Sequence, residues 1–273
     1  MWKGSMFTKK ALTSVTFAAA SVLVSIGAVA GERIVVLTAD VAEIVVALGR
    51  APEVVGRDRV ATQAELAHAK EVGSSRSLNP EPIVRLQPSL VIGSQLAMPE
   101  GIWEQLRSMG LKAVKLGARP DGSDYADTIR RVGALLRDDS RAERLASDWQ
   151  VAMRSTGGPA RRILITYEGK TVAGRATPAD VLIRAAGGIN AAADLDGYKP
   201  LDAEAMARLA PDLILVAEHN RAVYGGLAAL KQRADIAATP AGKTGRVYEV
   251  AVHEFFTINL ASPAAVRKLK AMS

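Results

Sequence analysis

The chain contains no cysteine. That excludes disulfides, and it also excludes a lipid-modified cysteine at a processed N-terminus. Histidine is nearly as scarce, with three widely spaced residues, which argues against a metal cage built mainly from imidazoles. Lysine and arginine never gather into a block, so nucleic acid is not an expected partner. Enzyme signatures are missing too. No G-x-G-x-x-G follows the first strand-like run, and no G-x-S-x-G elbow supplies a serine nucleophile. The stretch "ATPAGKTG" (238–245) has Ala237 where a phosphate-binding loop needs its first glycine, and strand-like "RVYEV" follows it instead of a helix. No acid/base pair stands out, so catalysis is not expected.

What is present begins with a targeting pattern. Lys3, Lys9 and Lys10 precede an apolar run that closes on Ala28-Val29-Ala30, the form of a cleavable secretory signal over residues 1–30. The run's small-residue end argues against a retained membrane anchor. Cleavage would remove three lysines and no acid, lowering the net charge from +7 to +4. The expected compartment is the periplasm, with a freely soluble product.

The mature chain alternates strand-like and helix-like segments, as in a parallel α/β sheet. "RIVVL" reads as a strand, and "ADVAEIVVALG" as a helix stopped by Gly49. Further on, "SLNPEPIVRLQPSLVI" (77–92) returns as "PLDAEAMARLAPDLIL" (200–215). Leu78, Glu81, Arg85, Leu86, Pro88 and Leu90 match Leu201, Glu204, Arg208, Leu209, Pro211 and Leu213, each pair 123 positions apart. The repeat predicts an α/β protein of two like lobes, with parallel-rich, Rossmann-like sheets joined by a single long helix and a ligand cleft between them. The expected boundaries are 31–137 for the first lobe, 138–157 for the linking helix and 158–273 for the second lobe. One helix is expected over "AALKQRADI".

These blocks resemble the helix-linked, bilobal substrate-binding proteins of ABC importers for haem, siderophores and cobalamin, and most closely the hemin-binding branch. The resemblance spans the mature chain and is most specific over "VAGRATPADVLIRAAGGINAAADLDGYKPLDAEAMARLAPDLILV" (172–216). "RIVVLTADVAEIVVALG" and "VGSSRSLNPEPIVRLQPSLVI" are similar to the family's N-terminal blocks. The resemblance implies a periplasmic receptor, expected to be a monomer, that carries haem as transported ligand to an inner-membrane permease and catalyses nothing. It also implies that one glutamate on each lobe, here Glu81 and Glu204, docks onto permease arginines.

One departure bears on the ligand. Where hemin receptors commonly have "VGYxR", with an iron-binding tyrosine, this chain has "VGSSR", and Ser74 takes the tyrosine's place. Haem iron accepts His, Tyr, Met or Cys. Tyr167 after "RILIT" and His219 after "DLILVAE" stand at carboxyl ends of strands and are the candidate iron ligands. His253 in "VAVHEFF" is comparably placed, whereas His68 reads as surface. Arg76 and Arg175 suit haem propionates or structural ion pairs. Tyr198 and Lys199 also match the family. The alternatives are a ferric siderophore or cobalamin in the same fold, or a zinc or manganese receptor using His219, His253 and Glu254.

Overall fold

The computed structural model describes residues 1–2, 31–117, 119–154 and 160–272. The expected secretory signal lies outside these apart from its first two residues. The segment 155–159, which carries most of the expected stop after the linking helix, lies outside them as well.

β1 (Ile34–Val36), β2 (Val54–Arg57), β3 (Lys70–Glu71), β4 (Leu90–Gly93) and β5 (Ala113–Lys115) form a sheet in the order β3-β2-β1-β4-β5. All neighbours in it are parallel. α1 (Ala39–Ala47), α2 (Pro80–Val84) and α3 (Ile102–Ser108) belong to this half. α1 stops where the sequence predicts, because Gly49 adopts a left-handed φ of +74° that residues with a Cβ rarely tolerate. The strand order reverses between β1 and β4, and in open α/β sheets such a switch point at the carboxyl edge is where ligands bind.

α4 (Tyr125–Leu135) and α5 (Asp139–Met153) pack together and lead to the second half. α5 has 15 residues and so spans about 22 Å.

β6 (Arg162–Thr166), β7 (Thr171–Ala173), β8 (Ile189–Asn190), β9 (Tyr198–Pro200), β10 (Leu213–Ala217) and β11 (Val247–Val250) form the second sheet, in the order β11-β10-β6-β7-β9 with β8 also on β6. Its β11-β10-β6 and β6-β8 pairs are parallel, while β7 runs antiparallel to β6 and β9. Around it lie α6 (Pro178–Ala185), α7 (Ala203–Arg208), α8 (Arg221–Tyr224), α9 (Leu227–Gln232), α10 (Ala234–Ala237), α11 (Pro240–Lys243), α12 (Val252–Phe255) and α13 (Ser262–Met272). The single helix expected over "AALKQRADI" is two helices, α9 and α10. Arg233 is extended between them (φ −60°, ψ 132°), its guanidinium donating to the carbonyls of Glu168 and Gly169 and pairing with Asp235.

The sequence repeat is a repeat of contacts. Asn79 caps α2 by accepting the Glu81 N–H, and Asp202 caps α7 by accepting the Ala205 N–H. Gln87 and Ala210, each before the shared proline, turn with φ of 46° and 43°. Arg33, just before β1, donates to the carbonyls of Leu86 and Gln87. Arg162, which opens β6, donates to the carbonyl of Leu209. In each half a guanidinium thereby satisfies the orphan carbonyls at a helix end and ties that helix to the central strand.

The halves share one core. Ile34, Ile44 and Ile92 of the first, Ile129 and Trp149 of the connection, and Ile163, Leu215 and Leu269 of the second belong to a single buried cluster. Trp149 fastens the junction. Its ring lies 5.2 Å from that of Tyr125, and its indole N–H donates to the Asn259 carbonyl at 2.9 Å. Trp149→Ala should therefore cost about 3 kcal/mol or more. Trp149→Phe, which removes only the donor, should cost about 1 kcal/mol. Urea unfolding of both variants measures the difference.

Candidate functional site

Both central strands aim their carboxyl ends at the junction of the halves. After β1 come Thr38 and Asp40, and after β4 come Ser94, Gln95 and Leu96, with the Ser94 N–H donating to the Thr38 hydroxyl at 3.0 Å. After β6 comes Tyr167, and after β10 comes His219. Asp40, Gln95 and Leu96 line a cavity of about 40 Å³ together with Tyr125, Pro178, Phe256 and Ile258, so its walls come from both halves.

The second half contributes an aromatic group at this mouth. Half-buried Tyr167 stacks on Phe256 (centroids 4.6 Å apart), tilts against Tyr198 (5.1 Å) and meets His219 edge-on (6.0 Å). Such spacings are favourable for aromatic pairs. Burial first, and then the neighbouring Tyr167 phenol, push the Tyr198 hydroxyl upward, keeping it protonated. Tyr167 is held from behind by Asn220, whose amide donates to its carbonyl at 3.2 Å.

Beneath the mouth sits an acidic pair that no motif singles out. Asp40 and Glu43 share one turn of α1, and burial raises both pKa values, that of Glu43 to about 7. One Glu43 oxygen accepts the Tyr125 hydroxyl at 2.5 Å. The same oxygen accepts the Leu260 N–H at 2.7 Å from 217 residues away. It is a direct polar tie between α1 and the C-terminal segment.

The structure brings Tyr167, Tyr198 and His219 together. His253 lies outside this group, exposed on α12, with its backbone carbonyl accepting from Thr257 and Asn259. Arg175 is engaged by both oxygens of Asp196, at 2.6 and 2.8 Å. Arg76 is exposed, and Ser74 is half-buried, its hydroxyl accepting the Arg76 N–H at 3.3 Å. The zinc or manganese arrangement is not assembled. Glu254 pairs with Lys268, and among the described residues no group of three or more His, Cys, Asp or Glu is placed to hold a metal ion.

Glu81 and Glu204 stand at equivalent second positions of α2 and α7, their side chains 65% and 83% exposed. Each is paired four residues on, with Arg85 and Arg208 respectively. β3, β4, β9 and β10 all run with β1 or β6, so both helices start from the carboxyl edge of their sheet. The two carboxylates thus lie on the side of the mouth.

The model of a family described as periplasmic binding protein matches residues 34–251. The chain belongs to this family. Among solved structures, this periplasmic binding protein is similar to the periplasmic haem-binding protein RhuT of Roseiflexus sp. RS-1 in its apo form. The two are 33% identical with a TM-score of 0.78, over 89% of this chain and 97% of that one. It is similar to the periplasmic haem-binding protein BhuT in complex with two haems, at 32% identity and a TM-score of 0.79, over 89% and 97%. Similarity extends to the periplasmic haem-binding protein HutB of Vibrio cholerae, at 26% identity and a TM-score of 0.76, over 88% and 98%. A search of curated proteins returns no match.

The acidic pair generates a pH dependence. Glu43 binds its proton more tightly in the folded chain than at its ordinary value of 4.5. The stability it contributes is complete below about pH 4.5 and is lost as the pH rises through about 7. Between pH 5 and 8 the wild type should lose up to about 3 kcal/mol relative to Glu43→Gln, which carries no titrating group there. Denaturant unfolding of both across that range reads the difference, and parallel pH profiles would refute it.

Proposed function

We propose that this periplasmic binding protein carries haem through the periplasm to the permease of an ABC importer, and that it acts by binding and release alone. The observation that carries this reading is the aromatic group of Tyr167, Tyr198 and Phe256 with His219 at its edge. Phe256 lines the junction cavity with Leu96, and the loops at the carboxyl edge of the first sheet expose Val60, Leu96 and Met98. A flat, apolar macrocycle with a metal at its centre needs such apolar walls and a ring donor. The enclosed cavity of about 40 Å³ has room for only a few waters. The macrocycle therefore lies above it, in the open mouth, with either Tyr167 or His219 offering the iron its donor from the second half. Arg76, exposed at the rim, pairs with a propionate; Arg175 can do so only by leaving Asp196. The haem-binding proteins RhuT, BhuT and HutB support the reading through their similarity over nearly the whole fold.

Glu81 and Glu204 are the docking contacts. They are matched, exposed and one to each half, so a permease that binds both reads the separation of the halves.

Hemin added to the purified protein should shift its visible spectrum toward that of ligated haem. Tyr167→Phe or His219→Ala should change the band, identifying the ligand. Absence of any hemin spectrum, with a ferric siderophore or cobalamin retained instead, would replace haem with that ligand. Separately, Glu81→Ala with Glu204→Ala should leave hemin affinity unchanged and lower hemin-dependent ATPase activity of the reconstituted importer more than tenfold, since each lost charge contact is worth about 1 kcal/mol or more.

A further inference from the structure

The haem reading leaves the first half without the tyrosine that Ser74 replaces. Ser74 is spent on its own loop, its hydroxyl accepting the Arg76 N–H and its carbonyl the Ser77 N–H at 2.9 Å. The same loop clasps another residue. The Met98 N–H donates to the Ser75 carbonyl at 2.6 Å, and the Met98 carbonyl accepts the Leu78 N–H at 2.8 Å. Ser75 is in turn fixed by buried Asp58, which accepts its N–H at 2.8 Å. The peptide of Met98 is thus fastened on both sides to the segment that begins with Ser74.

Resting on the haem reading, we infer that Met98 is the iron ligand of the first half, its thioether doing from the neighbouring loop what Ser74 cannot do. The segment after β4 turns Ala97 inward, 2% exposed, and leaves Leu96 and Met98 outward at 42% and 47%. Leu96 lines the cavity at the junction with Phe256, on which Tyr167 stacks. Met98, two residues further on, belongs to the same segment after the carboxyl end of β4, as Tyr167 and His219 follow the carboxyl ends of β6 and β10 in the second half. An apolar side chain left nearly half exposed on a loop tied down by hydrogen bonds is a ligand-facing arrangement, because the backbone is ordered before anything binds.

No other sulfur competes from residue 31 onward. The chain has no cysteine, Met153 and Met206 are buried, and Met272 packs against the core. Met109 is exposed, but it closes α3 at the opposite, amino edge of the sheet, just before β5. A thioether is neutral and soft, so it favours ferrous over ferric iron and raises the reduction potential relative to a phenolate. This receptor therefore holds a more readily reduced haem than one with a tyrosine at the Ser74 position.

The experiment compares hemin complexes of the wild type and Met98→Leu, which keeps the volume and removes the sulfur. The wild type should show the thioether-to-iron charge-transfer band in the near infrared, and a sulfur neighbour of iron by X-ray absorption. Met98→Leu should still bind hemin, with affinity lower on the order of tenfold, while losing the band and lowering the potential. Identical spectra and potentials in the two proteins, or no sulfur neighbour in the wild type, would overturn the assignment and leave the haem reading standing. Failure of the wild type to bind hemin at all would overturn both. The X-ray measurement needs no variant, so it decides the matter even if Met98→Leu folds poorly.

Discussion

A single buried cluster runs through both halves and the helices between them, and this continuity governs how the molecule can work. Separating the halves widely would bring Trp149, Ile129 and their neighbours into water, at about 25 cal/mol for each Å² of apolar surface. The Trp149 N–H to Asn259 and the Glu43 carboxylate to Leu260 add directional ties across the same junction. Small adjustments of the mouth are open to such a frame, but a broad swing of one half is not. Surface groups on the two halves therefore keep a nearly fixed spacing.

That spacing is set by repeated chemistry. Arg33 and Arg162 each hold the end of a glutamate-bearing helix against a central strand, and Asn79 and Asp202 each cap its start. Both helices are short, so these end contacts satisfy much of their backbone. The acidic residues are placed as firmly as the sheets themselves.

Much of this was legible in the sequence. The strand and helix alternation, the helix break before α5 and the duplicated unit follow from periodicity, caps and prolines, which are local properties. The placement of Tyr167 and His219 at carboxyl ends of strands was legible because each lies just past a strongly apolar run. β7 and β9 were missed because three-residue strands have too little length for alternation to register. The split at Arg233 was missed because its cause is distant, the carbonyls of Glu168 and Gly169 more than sixty residues away. Phe256 and Glu43 escaped for the same reason. An aromatic at the end of a short helix and a carboxylate on another acquire meaning only when the fold sets Tyr167 against one and Leu260 against the other.

The internal ion pairs Glu81–Arg85 and Glu204–Arg208 have one more consequence. Under the proposed docking, an arriving cation would have to share each carboxylate with a resident guanidinium or displace it into water. Attachment would then exchange one pair for another, so each contact would add only about 1 kcal/mol while its geometry stayed strict. Docking of that kind would be selective in position and readily reversed.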